Sequence, residues 1–400
     1  MRQHWAPPGW PGKNTIFNRF DLMTPFSHKR IGRRLRPAGL LAALLVVWLA
    51  GAVPPLWAAA DTQSITDMSG RLVTVPRNPA RVVALAPGTL RLLVYLQAQD
   101  LVVGVEDMEK ANPRGRPYWL ANPQLHELPR CGPGGPAAIN RRPELETLLL
   151  LNPQIIFVTY MDAKLADSVQ QVLNIPVVIL SYGGFASFDA TVYDSLHLAG
   201  AILNRSARAH EVVAVMETLR MDLDRRTRDI PHEQQPPVYV GGLGYRGAQG
   251  LESTQKHYIP FAWVNARNLA DQLDDGGGSH LTVNREVLLD INPSTIFIDG
   301  GGLRLIAAHF HKHPEYYNGL AAFEQRRVFM LLPFNWYVTN IDTAIADAYA
   351  VGAILYPDRF ADIDPEAQAD EIYTFLVGRP VYEQMRQDYG ALGSVAPFLE

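Results

Sequence analysis

The chain has 400 residues and a formal net charge of −4, with a single cysteine, Cys131, so an internal disulfide is excluded. Residues 1–60 carry eight Lys and Arg against one Asp, a net of +7, so the remainder from Asp61 has −4 − 7 = −11. Such an acidic chain is a poor nucleic-acid binder, because phosphate contacts need basic patches.

The N-terminal elements read as a secretory signal. A basic run, "KRIGRRLR" at 29–36, precedes the uncharged apolar "PAGLLAALLVVWLAGA" at 37–52, and small residues "AAA" close it at 58–60. That order predicts a signal peptide over 1–60, removed to leave a soluble periplasmic protein. A retained membrane anchor is the alternative, but the apolar run is short of the ~20 residues a span needs, and Pro54 and Pro55 interrupt it. No cysteine lies at the cleavage point to carry a lipid. The leader before the basic run is long, and Met23 is a second candidate start.

From Asp61 the chain predicts an α/β protein. "ITDMSGRLVTVP" reads as a hairpin turning at Ser69-Gly70. The strand "RVVALAP" follows, then the helix "TLRLLVYLQAQ", a strand "LVVGVED" at 101–107, and a Pro/Gly-rich loop over 112–136. "PELETLLLL" is a helix, and "QIIFVTY" and "VVIL" are strands. Apolar strands that do not alternate, separated by helices, indicate mainly parallel sheets covered on both faces. Residues 188–228 lack proline and hold apolar residues at helical spacing, which predicts one long helix with a break near Asn204. The pattern then restarts: strand "PVYVGG", a Gly-rich loop, helix "NREVLLDI", strands "TIFID" and "RRVFMLL".

The restart is a repeat. Glu146, Leu148, Leu149, Asn152, Pro153, Ile156 and Phe157 recur at one offset as Glu286, Leu288, Leu289, Asn292, Pro293, Ile296 and Phe297. The expected organisation is an N-terminal lobe over 61–187, a linking helix over 188–228, and a C-terminal lobe over 229–400.

Several motifs bear on chemistry. Gly242, Gly244 and Gly247 match a dinucleotide fingerprint, but no acid follows over 262–270. Ser253 and Lys256 fit the S-x-x-K of acylating hydrolases, without the companion motifs that chemistry needs. His309, His311 and His313 cluster, and two of them share a helix face, yet no convincing further metal ligand is near. Ligands of α/β lobes bind at strand C-terminal ends. Asn335, Trp336 and Tyr337, Tyr245 and Arg246, Tyr160, Tyr182, and Glu106 all follow apolar strands, and are the candidate ligand residues. An Arg there suits an anion, because its fork binds carboxylate or phosphate with two hydrogen bonds.

"DMSGRLVTVPRNPARVVAL", "PELETLLLLNPQIIFV", the long middle helix and the closing "EIYTFLVG" together resemble the substrate-binding proteins of ABC importers for iron chelates and cobalamin. The resemblance covers nearly all of 61–395. It implies two α/β lobes joined by one long helix, a shallow cleft between them, no enzymatic activity and no intrinsic cofactor. It also implies a glutamate on each lobe that docks on the permease, at the positions of Glu146 and Glu286. The expected cargo is an iron complex of siderophore type, carried by a monomer; haem, cobalamin and an oxyanion such as molybdate are the alternatives. An exported hydrolase is the rival from another class.

Overall fold

The computed structural model describes residues 61–112, 114–184, 187–244, 247–273 and 279–400. The expected signal peptide, Tyr245 and Arg246 lie outside the described residues.

Strands β1 (Thr62–Thr66) and β2 (Leu72–Pro76) pair antiparallel, with Thr66 opposite Leu72. Asp67 closes the turn by accepting from the backbone N–H groups of Ser69 and Arg71, and Gly70 takes the positive φ. The N-terminal sheet follows: β3 (Val82–Leu85), β4 (Ile155–Val158) and β5 (Val177–Ile179), parallel and in that order. Every residue of the three strands is buried, as expected for a parallel sheet with both faces covered. Helix α1 (Thr89–Tyr95) follows β3, α2 (Leu145–Leu151) precedes β4, and α3 (Ala163–Leu173) returns to β5.

The C-terminal lobe has a parallel sheet of β6 (Pro237–Gly241), β8 (Arg267–Asn268), β10 (Thr295–Asp299) and β11 (Val328–Leu331), in the order β11-β10-β6-β8. An antiparallel pair, β7 (Ser253–Gln255) with β9 (His280–Thr282), lies beside it. The repeat is structural: α2 with β4 corresponds to α6 (Arg285–Ile291) with β10. Asn152 and Asn292 each end their helix in the left-handed conformation, which Asn tolerates better than most residues. The following proline then stops the helix and the chain turns into the strand.

One expected element differs. Residues 101–107 form no continuous strand; only Val102 and Val105 make single bridges, to Val82 and Arg130. Backbone bonds from Val103 N–H to the Val82 carbonyl and from Val105 N–H to the Pro129 carbonyl hold the segment, and Gly104 packs between them against the Leu151 and Cys131 side chains. The middle stretch is two helices, α4 (Thr191–Ile202) and α5 (Ser206–Thr227). The break falls at Asn204, whose φ is 56° and whose amide donates to the Arg77 carbonyl at 3.0 Å. Gly200 faces the Ala209 methyl so closely that a side chain there would clash, which lets α4 fold back on α5. The 22-residue α5 is the helix that joins the lobes. Helices α7 (Ile341–Leu355), α8 (Pro365–Val377) and α9 (Tyr382–Tyr389) complete the C-terminal side. No helix among the described residues is long and apolar enough to cross a membrane.

Candidate ligand-binding site

The C-terminal ends of β3 and β4 open into a pocket of about 230 Å3. Its floor is Leu85, Ala86, Val158 and Thr159, and its far wall is residues 131–144. Thr89 donates to the Leu85 carbonyl at 2.6 Å and Thr159 to the Pro87 carbonyl at 2.7 Å, so the strand ends are laced by buried hydroxyls. Asn140, Arg141 and Arg142 line the rim. Among the described residues neither Arg141 nor Arg142 has an ion-pair partner, whereas Glu144 beside them is bound by Arg130 at 2.6 Å. Arg130 holds the Glu144 carboxyl below its ordinary range.

Glu106 forms part of the wall and is only 5% exposed. It accepts from the Ala86 N–H at 3.1 Å and from the Tyr337 hydroxyl at 2.6 Å. Burial outweighs these bonds and pushes its carboxyl up to about 7. The Tyr337 hydroxyl also accepts from the Gly135 N–H at 2.9 Å, so a side chain from the C-terminal lobe is anchored twice on the N-terminal one. Burial, then the Glu106 charge, raises the Tyr337 hydroxyl far above its ordinary value.

Beside this contact lies Arg91 of α1, fully buried. Its guanidinium donates to the carbonyls of Trp336 (3.0 Å), Tyr337 (3.3 Å) and Thr339 (2.8 Å), and to the Tyr182 hydroxyl (3.0 Å). Tyr182 in turn donates to the Thr339 carbonyl at 2.8 Å. The 332–340 segment it grips carries positive φ at Tyr337 (50°) and at the β-branched Val338 (62°), a conformation that persists only where surroundings over-determine it. A second buried arginine, Arg116, pairs with Glu109 at 2.5 Å and lies 6.0 Å from the Trp336 ring centre.

The candidate residues thus divide. Glu106, Tyr337 and Tyr182 meet at the contact between the lobes. Trp336 is half-buried beside them, its indole N–H without an acceptor among the described residues. Tyr160 follows β4, half-buried, with φ 52°. Asn335 bridges to Thr339 within its own loop. Glu146 and Glu286 sit apart, exposed in the first turns of α2 and α6, and no described residue pairs with either carboxylate. At the C-terminal lobe's own strand end, Asp299 is fully buried, its carboxyl pushed up to about 7 by burial and held by the Gly301 N–H at 2.8 Å.

Sequence reasoning missed Arg91, Arg116, Arg141 and Arg142. Arg91 had one legible signal, a lone cation within the apolar run "TLRLLVY".

The rival chemistries find no support in the geometry. Ser253 approaches His280 at 2.9 Å, but it is buried and donates to the Leu243 carbonyl at 2.6 Å, so it presents no nucleophile. The next described element after β6 is β7, not a helix, so among the described residues the glycines frame no helix N-terminus for a pyrophosphate. The His309 and His313 rings lie 4.6 Å apart between centres and tilted by 36°, with His309 bonded to the Tyr317 hydroxyl; no cluster of three metal-ligating side chains occurs among the described residues.

The family model described as "Periplasmic binding protein" matches residues 82–333. The chain belongs to that family. Its members are class III substrate-binding proteins of ABC importers, which carry a solute to a membrane permease and catalyse nothing. The molybdate-binding protein MolA of Haemophilus influenzae is 24% identical over 357 residues, covering 83% of this chain and 95% of that one. Its molybdate-bound crystal structure superposes with a TM-score of 0.62 at 21% identity, over 80% of this chain and 98% of that one. A periplasmic solute-binding protein from Veillonella parvula gives a TM-score of 0.65 at 16% identity, over 82% and 96% of the two chains.

Proposed function

We propose that this periplasmic binding protein captures a small anionic solute, of the molybdate-type oxyanion class, in the pocket at the ends of β3 and β4. The observation that carries this reading is a pocket of about 230 Å3 rimmed by two guanidinium groups that have no carboxylate partner among the described residues. That volume lies below the ~300–1,000 Å3 of sites for drug-sized ligands, and suits a compact ion better than a macrocycle. Arg141 and Arg142 supply fork-shaped donors for an oxyanion, and the likeness to MolA agrees with that chemistry. Arg246 is a further candidate donor by sequence. An iron complex of siderophore type is the second reading, favoured by the half-buried Trp336 after β11, whose indole N–H has no acceptor among the described residues.

Export by a cleaved signal, delivery as a soluble monomer and docking of Glu146 and Glu286 on the permease complete the proposal. Calorimetric titration of protein purified from the periplasm with molybdate, tungstate, a ferric catecholate, haemin and cobalamin tests it. Saturable binding of the oxyanions is expected. Binding of the ferric complex alone, with a charge-transfer band, would replace the first reading with the second.

A further inference from the structure

We infer that Glu106 couples capture of the anion to uptake of one proton and so makes the site discriminate by charge; this rests on the anionic ligand proposed above. The Glu106 side chain is in the pocket wall, and both its oxygens accept from neutral donors, Ala86 N–H and Tyr337 O–H. Gly134 packs closely on it: a methyl group built there would stand 2.8–3.0 Å from Glu106 atoms. An anion entering the pocket therefore meets either a carboxylate of its own sign or a neutral carboxyl whose O–H is a donor.

The charges around Glu106 reinforce the choice. Asp107 and Glu109 of its own helical turn disfavour the ionised form. Glu109 is itself engaged by Arg116 and Tyr118. From residues 129–135 the buried Cys131 thiol faces Glu106 and is raised by burial and by that charge. From the 332–340 segment Tyr337 is the only partner among the described residues. Across the pocket lie Arg141 and Arg142, with Glu144 occupied by Arg130. Among the described residues, the charge left unpaired in the pocket lining is thus two rim cations and one buried carboxyl whose protonation is poised near neutrality. Ligand and proton then bind together: affinity for an anion falls as pH rises through about 7, by about tenfold per pH unit for a single coupled proton. A cationic ligand would show the opposite slope.

Calorimetry of periplasmically purified wild type and Glu106→Gln with sodium molybdate, from about pH 6 to about pH 8.5 in buffers of differing ionisation enthalpy, decides it. Wild type should take up about one proton per molybdate at the alkaline end and show the tenfold slope. Glu106→Gln should show neither. Tyr337→Phe keeps the carboxyl but removes a bond that favours its ionised form, so its breakpoint should move to higher pH. Molybdate binding without proton uptake, or the same slope in Glu106→Gln, overturns the role of Glu106 and leaves the anionic ligand standing. No oxyanion binding by folded protein at any pH overturns both.

Discussion

Replacing Arg91 by methionine should loosen the join between the lobes. Its guanidinium makes four hydrogen bonds, three of them to carbonyls of the 336–339 segment. Bonds from a charged donor contribute about 1.5–3 kcal/mol each, a gross ~6–12 kcal/mol. Removing the arginine also recovers the several kcal/mol spent on desolvating it, so the net loss should be about 3–5 kcal/mol, in the range found when one partner of a buried charged contact is deleted. Three buried carbonyls would be left without this donor, and Tyr337 and Val338 would lose the grip that keeps their φ positive. Urea denaturation read by fluorescence gives the stability change, and amide hydrogen exchange of Val338, Thr339 and Asn340 reports the segment. Exchange there should accelerate more than in β3 or β10. Arg91→Lys should rescue little, because an ammonium cannot fork across three acceptors. Stability within about 1 kcal/mol of wild type, with unchanged exchange at 338–340, would refute the idea that Arg91 fastens the lobes.

Glu146→Ala combined with Glu286→Ala should leave ligand affinity within about twofold and abolish uptake in cells, since each glutamate would lose a charge-assisted pair on the permease; wild-type transport would reduce the repeat to a structural relic. Trp336→Ala separates the two readings: Trp336 is not among the residues lining the pocket, so oxyanion affinity should stay within about twofold, whereas a ferric chelate covered by the indole should bind roughly ten- to hundredfold more weakly; Arg246→Ala should weaken binding of an anionic ligand by a similar factor, and calorimetric titration checks both. Asp299→Asn should change the pH profile of stability. The native carboxyl is raised from 3.8 to about 7, so its contribution is intact below about pH 4 and is lost as pH rises through about 7. The amide variant should avoid that loss, on the order of a few kcal/mol, so its urea midpoint should exceed wild type at about pH 8 but not at about pH 4. Parallel midpoints across that range would show that Asp299 does not titrate as its burial implies.

The sequence by itself determined the repeated helix–strand unit, because its cues are local. The Asn-Pro after an apolar helical turn ends α2 and α6 and starts β4 and β10, and Glu146 and Glu286 fall on exposed first turns for the same reason. The unalternating runs "IIFV" and "TIFID" announced strands buried on both faces. The break at Asn204 was visible, though not that Gly200 lets the two helices fold together. Only the tertiary structure decided the site. Glu106 and Tyr337 are 231 residues apart, and Arg91 and Thr339 are 248 apart, so no periodicity or spacing relates them. Nor could the sequence raise Glu106 to about 7, since that follows from the desolvation that packing imposes. Secondary structure is written in neighbours three, four or two residues away. The charge state of a buried carboxyl, and the arginine that grips a strained loop, are set by whichever surfaces the fold brings together.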